Sequence, residues 1–226
     1  IISSGSIERP LVFGNNDTPG VMLSSAAKEY LKIYGVLVGK KPLVFTNNDS
    51  GYETAIEFKK NGIDPIVLDT RKNPNSEIIK EAKDLNINIK FSYVVVAAKG
   101  YKKVKSADIA KISDDKKNVS NIENIQCDCI CVSGFWTPTI HLASQSGNKT
   151  KFNNEIDAFI PSQSKQKETT LGSANGIFTL EETLKTSFEK GSELSKQITN
   201  KENKVSIPTV VEKTSSNHDK FWCVPL

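Results

Sequence analysis

Residues 41–45 read as a strand, the stretch capped at Asp49 or Ser50 and stopped by Gly62 as a helix, and Ile66-Val67-Leu68-Asp69 as a second strand. This order constrains the chain more than any other feature. Two parallel strands need a crossover, and the crossover is right-handed. The arrangement is that of a Rossmann unit. Its turn, Val44-Phe45-Thr46-Asn47-Asn48-Asp49-Ser50-Gly51, lies where such a unit holds phosphate. A working turn uses glycines so that backbone amides can approach a pyrophosphate. Here Asn47, Asn48 and Asp49 stand in those places. Their side chains fill the space, and Asp49 adds negative charge at the helix start, which favours capping and opposes phosphate. Asp69 follows at the distance, about 20 residues, where an acid holds an adenosine ribose. It reads more readily as a polar residue ending a strand. The expectation is a scaffold used for packing rather than for strong NAD binding.

The rest of the chain extends this pattern. Residues 11–13 read as a short strand before a turn cluster at 14–20. Residues 21–34 carry helical periodicity, with Leu23, Ala27, Tyr30, Leu31 and Tyr34 on one face and Gly35 as C-cap. Asp49 or Ser50 is the expected cap of the next helix, whose inner face holds Tyr52, Ile56 and either Phe58 or the Lys59 stem. A helix at 75–85 and a strand at 87–91 complete β-α-β-α-β. Strands at 93–98 and 102–109 meet around Lys99-Gly100, 113–121 is turn-like, and 127–132 is a further strand. Beyond it, 147–154 reads as a polar turn, 158–160 as a strand, 172–176 as a tight turn and 180–198 as an amphipathic helix. A short extended piece at 205–211 interrupts a linker. The expected organisation is α/β, with a Rossmann-like domain at 38–132 inserted in a partial second nucleotide-binding domain. Residues 1–37 and 133–198 form that outer domain, and 199–226 a linker.

Composition excludes several functions. Net charge is +4, from 30 basic and 26 acidic residues. The excess is spread, and its densest patch, Lys102, Lys103 and Lys105, reads as a solvated turn rather than a nucleic-acid stripe. No run reaches the roughly 18 apolar residues that would cross a bilayer, and no secretory signal is visible. Cys127, Cys129 and Cys131 alternate as on one face of a strand, a poor spacing for a disulfide or for zinc. Buried free thiols fit a reducing, cytoplasmic compartment. His141 reads as a packed or hydrogen-bonded residue and His218 as part of a polar linker; neither has triad spacing. No residue is assigned as catalytic or as a metal ligand. The start at Ile1-Ile2, with Met22 the one methionine, reads as a piece of a longer protein. The apolar end, Phe221 to Leu226, reads as cut or as packing against something absent.

Two loops border these elements. In Ser133-Gly134-Phe135-Trp136-Thr137-Pro138, Gly134 permits a sharp exit and Pro138 fixes the next turn, as expected of an interdomain hinge near a cofactor or of a hinge alone. In Gly172-Ser173-Ala174-Asn175-Gly176, amides before a helix suit either phosphate contact or simple capping.

Taken together, several motifs resemble the alpha subunit of heterotetrameric sarcosine oxidase. They are Glu8-Arg9-Pro10-Leu11-Val12-Phe13, Asn15-Asn16-Asp17-Thr18-Pro19-Gly20-Val21-Met22-Leu23, Val44 to Ser50, Val132 to Pro138, Ser144-Gln145-Ser146-Gly147 and Ala174-Asn175-Gly176. The resemblance covers nearly the whole chain and implies its central portion. The implied fold is a Rossmann-like domain of the disulfide-oxidoreductase type inserted in a partial second nucleotide-binding domain. The implied activity is oxidative demethylation of sarcosine to glycine in an assembly with beta, gamma and delta subunits. FAD and FMN serve the assembly, NAD the full-length subunit, and tetrahydrofolate a carboxy-terminal region. The alternative is a structural or docking domain of a related amine or opine dehydrogenase, without chemistry of its own. Carried to this chain, the resemblance marks Ser4 and Gly5 as the end of a glycine turn. Trp136, Thr137 and Pro138 become the return crossover, and Asn175 and Gly176 the place where related flavoproteins have Gly-Asp beside the cofactor. These seven are the expected cofactor contacts.

Overall fold

The computed structural model describes residues 1–199 and 206–225. In chain order the elements are β1 (Ser6–Glu8), β2 (Val21–Leu23), α1 (Ser24–Tyr34), β3 (Pro42–Thr46), α2 (Ser50–Lys60), β4 (Ile66–Asp69), α3 (Glu77–Asp84), β5 (Asn88–Phe91), β6 (Tyr93–Lys99) and β7 (Ser106–Lys111). Then come β8 (Glu123–Gln126), β9 (Cys129–Ser133), β10 (Trp136–Pro138), α4 (His141–Gln145), β11 (Lys149–Asn153), β12 (Ala158–Gln163), a 3-10 turn (Gly172–Asn175) and α5 (Leu180–Thr199). Contacts divide the chain into an inner unit, Glu8–Phe135 with Asn217–Leu226, and an outer unit, Ile1–Ile7 with Trp136–Ser216.

The inner unit is built on a parallel sheet in the order β2-β9-β3-β4-β5. Both faces are covered, so β3 and β9 are buried at every position. Alternation sorts their side chains. Leu43, Phe45, Leu68, Ile130 and Val132 join Val94, Val95 and Ile109 of the antiparallel β6-β7-β8 meander in one apolar cluster. Val44, Val67, Cys129 and Cys131 point the other way, onto Tyr52, Ile56, Phe58 and Ile79 of α2 and α3. Each fully buried large side chain contributes about 1.5–3 kcal/mol, so the two clusters fix the register of every strand between them.

Several sequence expectations change. Val21–Leu23 is a strand rather than the first turn of a helix, because it pairs with Ile130–Val132 of β9. Helix α1 begins at Ser24 and ends at Gly35, whose φ of 62° is the expected left-handed cap. Tyr30 and Tyr34 are 46 and 68% exposed, so the inner face of α1 is narrower than periodicity suggests. Residues 11–13 join no sheet; Leu11 and Phe13 are buried, and Val12 makes an isolated bridge to Cys223. Because β2 and α1 pack on the inner sheet, the division falls after Ile7 rather than after residue 37. Cys127 precedes β9 and enters the meander cluster, so only Cys129 and Cys131 share a face.

In the outer unit, β1 pairs with β10, and β11 with β12 as an antiparallel hairpin. The polar run 149–153 forms a strand because Phe152 meets Phe159 across the hairpin, ring centroids 5.2 Å apart. The later strand runs through Pro161 to Gln163. Helix α5 matches its expected span but buries no residue fully. Glu212 receives its first amides, Leu180 N–H at 2.6 Å and Glu181 N–H at 3.4 Å. Val205, the start of the expected extended piece, lies outside the described residues, and 206–211 form no strand. Among the described residues no helix is long and apolar enough to cross a membrane.

The four thiols are free: Cys127, Cys129 and Cys131 are buried, and Cys223 is exposed. Burial first, then Cys129 and Asp128, push the Cys127 thiol up to about 12. The hydrogen bond with Cys129, then burial, raise Cys131. A disulfide reagent at pH 8 is expected to label Cys223 rapidly and the other three at least about 100-fold more slowly, at the rate of unfolding. Peptide mapping of the labelled chain checks this, and rapid labelling of Cys127 would contradict it.

Candidate functional site: the crevice at the carboxyl ends of the inner sheet

In an open parallel sheet, ligands bind beyond the carboxyl ends of the strands where strand order reverses. In the inner unit that point lies between β3 and β9, with β4 beside it. The turn after β3 is tight and inward-facing: Asn47, Asn48 and Asp49 are all but fully buried. Thr46 Oγ1 receives Asn48 N–H at 3.1 Å, and Ser133 O receives Asn47 N–H at 3.2 Å. Asn48 Nδ2 donates to Ser133 O, and Asn48 Oδ1 receives Ser50 N–H at 2.8 Å. Asp49 holds the N-cap position of α2, as expected, but makes no side-chain cap bond; Asn48 Oδ1, one residue earlier, covers the first helical amide. Gly51 remains necessary in this turn. A Cβ there would lie 2.6 Å from Thr46 Cβ, so the glycine allows helix and strand to touch.

Asp49 turns instead to Arg71, whose Nη1 donates to Oδ1 at 2.8 Å. Asp69, ending β4, receives Arg71 Nη2 at 2.9 Å, Arg71 N–H at 2.9 Å and Tyr52 O–H at 2.7 Å. Neither acid is available to a ribose. Burial works against the Arg71 guanidinium, but Asp69 and then Asp49 outweigh it and hold it charged above its usual range. Burial first, and then the Asp69 charge, raise the Tyr52 phenol and keep it a donor. Arg71 is the central residue that sequence reasoning missed. Its signal is present as D-x-R at 69–71, where an arginine two residues after a strand-ending acid can reach back to it.

The chain itself occupies the crevice. Asn47 Nδ2 donates to Asp219 O at 2.9 Å and Phe221 O at 3.1 Å, and Asp219 N–H donates to Asn47 O at 2.8 Å. Thr70 Oγ1 donates to Asp219 Oδ2 at 2.9 Å, and Lys116 pairs with the other oxygen. Arg71 Nη1 reaches Asn217 O at 3.3 Å. The His218 ring stacks on Phe135 with centroids 4.0 Å apart, and Arg9 lies 3.8 Å over the Trp222 ring. Phe221 and Val224 enter the meander cluster. The apolar end expected to pack against something absent thus packs on its own inner unit, and residues 217–225 are not linker. A cavity of about 300 Å³ remains beside the segment, lined by Thr70, Arg71, Lys72, Ser92, Lys116 and His218 among others. Asp114 answers Lys72 and Asp219 answers Lys116, so the cavity has no surplus positive charge for a phosphate. These residues do not fit a dinucleotide.

A third buried acid lies in the inner unit. Glu8 is 4% exposed, and its Oε2 receives the Ser25 N–H at 2.8 Å, so it caps α1 from a distant part of the chain. Burial raises its carboxyl above the ordinary value of 4.5 against the pull of Ser25, Ser133 and Lys28. Gly134 is needed because a Cβ there would approach Arg9 O to 2.7 Å, while the left-handed residue is Phe135, at φ 74°.

The residues expected at a cofactor all lie in the outer unit. Ser4 Oγ donates to Thr139 O at 2.7 Å, and Gly5 O receives Thr139 N–H at 3.0 Å. This brings Ser4 and Gly5 beside the strand of Trp136, Thr137 and Pro138. Ile2 pairs with the stretch just before the 3-10 turn that carries Asn175: its N–H donates to Thr169 O at 2.8 Å and its carbonyl receives Leu171 N–H at 2.9 Å. At Gly5 a Cβ would meet nothing within 4 Å, whereas at Gly176 it would lie 2.9 Å from Ile156 Cδ1. Both glycines hold left-handed backbone, φ 76° at Gly5 and 81° at Gly176, and the second is a packing requirement as well. His141 is exposed at the start of α4, so it is not packed in the core.

Sequence comparison agrees with this architecture. The chain is 27% identical over its full length to sarcosine oxidase subunit alpha of Corynebacterium sp. (strain P-1), of which it spans 23%. It is 34% identical over 161 residues, 71% of the chain, to the alpha subunit of Rhizobium meliloti (strain 1021), of which it spans 15%. The chain is a relative of the sarcosine oxidase alpha subunits. It spans less than a quarter of their length. No family model matches it. Among solved structures, T. acidophilum thioredoxin reductase covers 78% of the chain at 14% identity and TM-score 0.60, with 58% of that protein covered. The flavoprotein disulfide reductase RclA of Escherichia coli covers 88% at 13% identity and TM-score 0.61, with 43% of it covered. L-proline dehydrogenase of P. horikoshii covers 99% at 18% identity and TM-score 0.50, with 43% of it covered. These likenesses establish the fold, the α/β architecture expected from the sequence.

Two outcomes test the site. Arg71→Met strands two buried carboxylates and is expected to lower unfolding free energy by about 3–5 kcal/mol. Adding Asp49→Asn and Asp69→Asn should recover most of that loss in urea melts. For Glu8, the folded state holds the proton more tightly than the unfolded chain. Its contribution is complete below 4.5 and is lost as pH rises through the folded value. Glu8→Gln should therefore gain stability relative to the natural chain between pH 4.5 and pH 8, and an unchanged difference would contradict this.

Proposed function

We propose that this chain forms part of an alpha subunit of a sarcosine-oxidase-type flavoenzyme, whose assembled form oxidises sarcosine to glycine. The observation that carries this reading is the similarity to sarcosine oxidase alpha subunits over the whole chain. Kinship of fold with flavoprotein reductases is consistent with it. In this reading the outer unit belongs to the subunit's first nucleotide-binding domain. Ser4, Gly5, Trp136, Thr137, Pro138, Asn175 and Gly176 line the approach to a bound NAD or flavin. The open space at Gly5 fits such a group; the inner crevice does not. A flavin, when bound, supplies the electron acceptor for the C–N bond. FAD and FMN in the assembly, tetrahydrofolate in a carboxy-terminal region, and beta, gamma and delta subunits in the cytoplasm complete the proposal. The inner unit contributes packing to it.

The test is sarcosine-dependent oxygen uptake by the enzyme assembled with its companion subunits. Sarcosine is expected to be oxidised faster than proline or an opine. Preference for either competitor would overturn the substrate. In that assembly Gly5→Trp should lower cofactor content and activity by up to about 100-fold, with subunit stoichiometry unchanged on size exclusion. Full activity with a tryptophan at position 5 would remove that residue from the site.

A further inference from the structure

The segment in the inner crevice is held as a ligand is held. Its contacts combine directional hydrogen bonds with two buried apolar side chains, Phe221 and Val224. Asn48 and His218 form an antiparallel bridge, and Asn47 exchanges hydrogen bonds with Asp219 through both backbone and side chain. Farther along, Val12 N–H donates to Trp222 O at 2.7 Å, and Val12 O receives Val224 N–H at 2.9 Å. The wall offers side-chain donors from Asn47, Thr70, Arg71 and Lys116, and the segment supplies carbonyls and one carboxylate. An aromatic ledge, Phe135, takes the His218 ring, and an apolar socket takes Phe221 and Val224. Backbone pairing for affinity, with pockets for alternate side chains, is how proteins read extended peptides.

We propose that the nucleotide crevice of the inner unit is a peptide-recognition groove, filled in cis by residues 217–224 and readable in trans by an extended peptide carrying the same acidic and aromatic anchors. The groove selects an aspartate against Thr70 and Lys116, an aromatic ring two residues later, and an aliphatic side chain three beyond that. The occupant is polypeptide, because the donors that a nucleotide phosphate would need are answered by Asp219 and by main-chain carbonyls. This inference does not depend on the enzymatic assignment; its readouts are binding and exchange, not activity.

The test begins with the full chain carrying His218→Ala and Asp219→Ala together. Hydrogen exchange should show lost protection at 217–224 while amides of β3, β4 and β9 remain protected. Loss of both at once would make the segment an inseparable part of the core and overturn the proposal. Retained protection at 217–224 would remove Asp219 and His218 as anchors and overturn it equally. A synthetic peptide of natural sequence 217–224 should then bind the doubly substituted chain and not the natural one, whose groove is filled. The same peptide with Asp219→Ala should bind at least about tenfold more weakly, the usual effect of deleting a charge-assisted hydrogen bond. No peptide binding at millimolar concentration, or displacement of the peptide by ADP at equal concentration, would sink the idea.

Discussion

The Arg71 guanidinium organises the carboxyl edge of the inner sheet. It sits 12% exposed between Asp69 and Asp49, which are 0 and 1% exposed. Two carboxylates this close in a buried turn repel each other and lose hydration, and either effect alone would open the loop. One planar cation facing both resolves the conflict. It ties the end of β4 to the start of α2, and Tyr52 adds a donor from inside the helix. The geometry of the crevice follows from that clamp. With Asp49 drawn sideways to Arg71, Asn48 is left to cover the first amide of α2 and Asn47 to bind the returning chain.

That substitution of roles explains how a Rossmann scaffold survives without a glycine-rich turn. In a dinucleotide site, loop amides point at phosphate oxygens and the strand-ending acid at a ribose. Here Asn47 and Asn48 amides close on Ser133 and Thr46, and the acid closes on arginine. Gly51 persists because the packing of α2 on β3 needs it whether or not a nucleotide binds.

Much of this was legible in the residues. The alternation of 43–45 and 130–132 orders both faces of the sheet, Gly35 caps α1, and polar side chains in the turn signal an altered phosphate site. Short or solvent-facing pieces were not legible. Three residues, 21–23, carry too little pattern to separate strand from helix, and only their partner in β9 decides. Lys149, Thr150 and Lys151 look like a turn until Phe152 meets Phe159. Tyr30 and Tyr34 fit the inner stripe of α1 by spacing alone, yet the core beneath ends at Leu31. Hardest was the return of 217–225. A stretch with Asn217, His218, Asp219 and Lys220 reads as solvated, and its fit emerges only against a donor-lined wall contributed by residues more than 100 positions away.

The cis arrangement also sets a thermodynamic bound on what the crevice can do. A tethered segment presents itself at an effective concentration of the order of millimolar when its linker is short and flexible. A free ligand must exceed that concentration, weighted by the ratio of intrinsic affinities, before it takes the groove. Nucleotides face a second handicap. Their phosphates would have to replace a carboxylate already matched to Lys116 and Thr70, at a site whose remaining cations are paired with acids. The retention of an open-sheet crevice therefore does not imply retention of its ligand. Once a carboxylate from the same chain answers the donors, the turn has no phosphate to approach, and side chains that bind the segment fit where glycines would otherwise be needed.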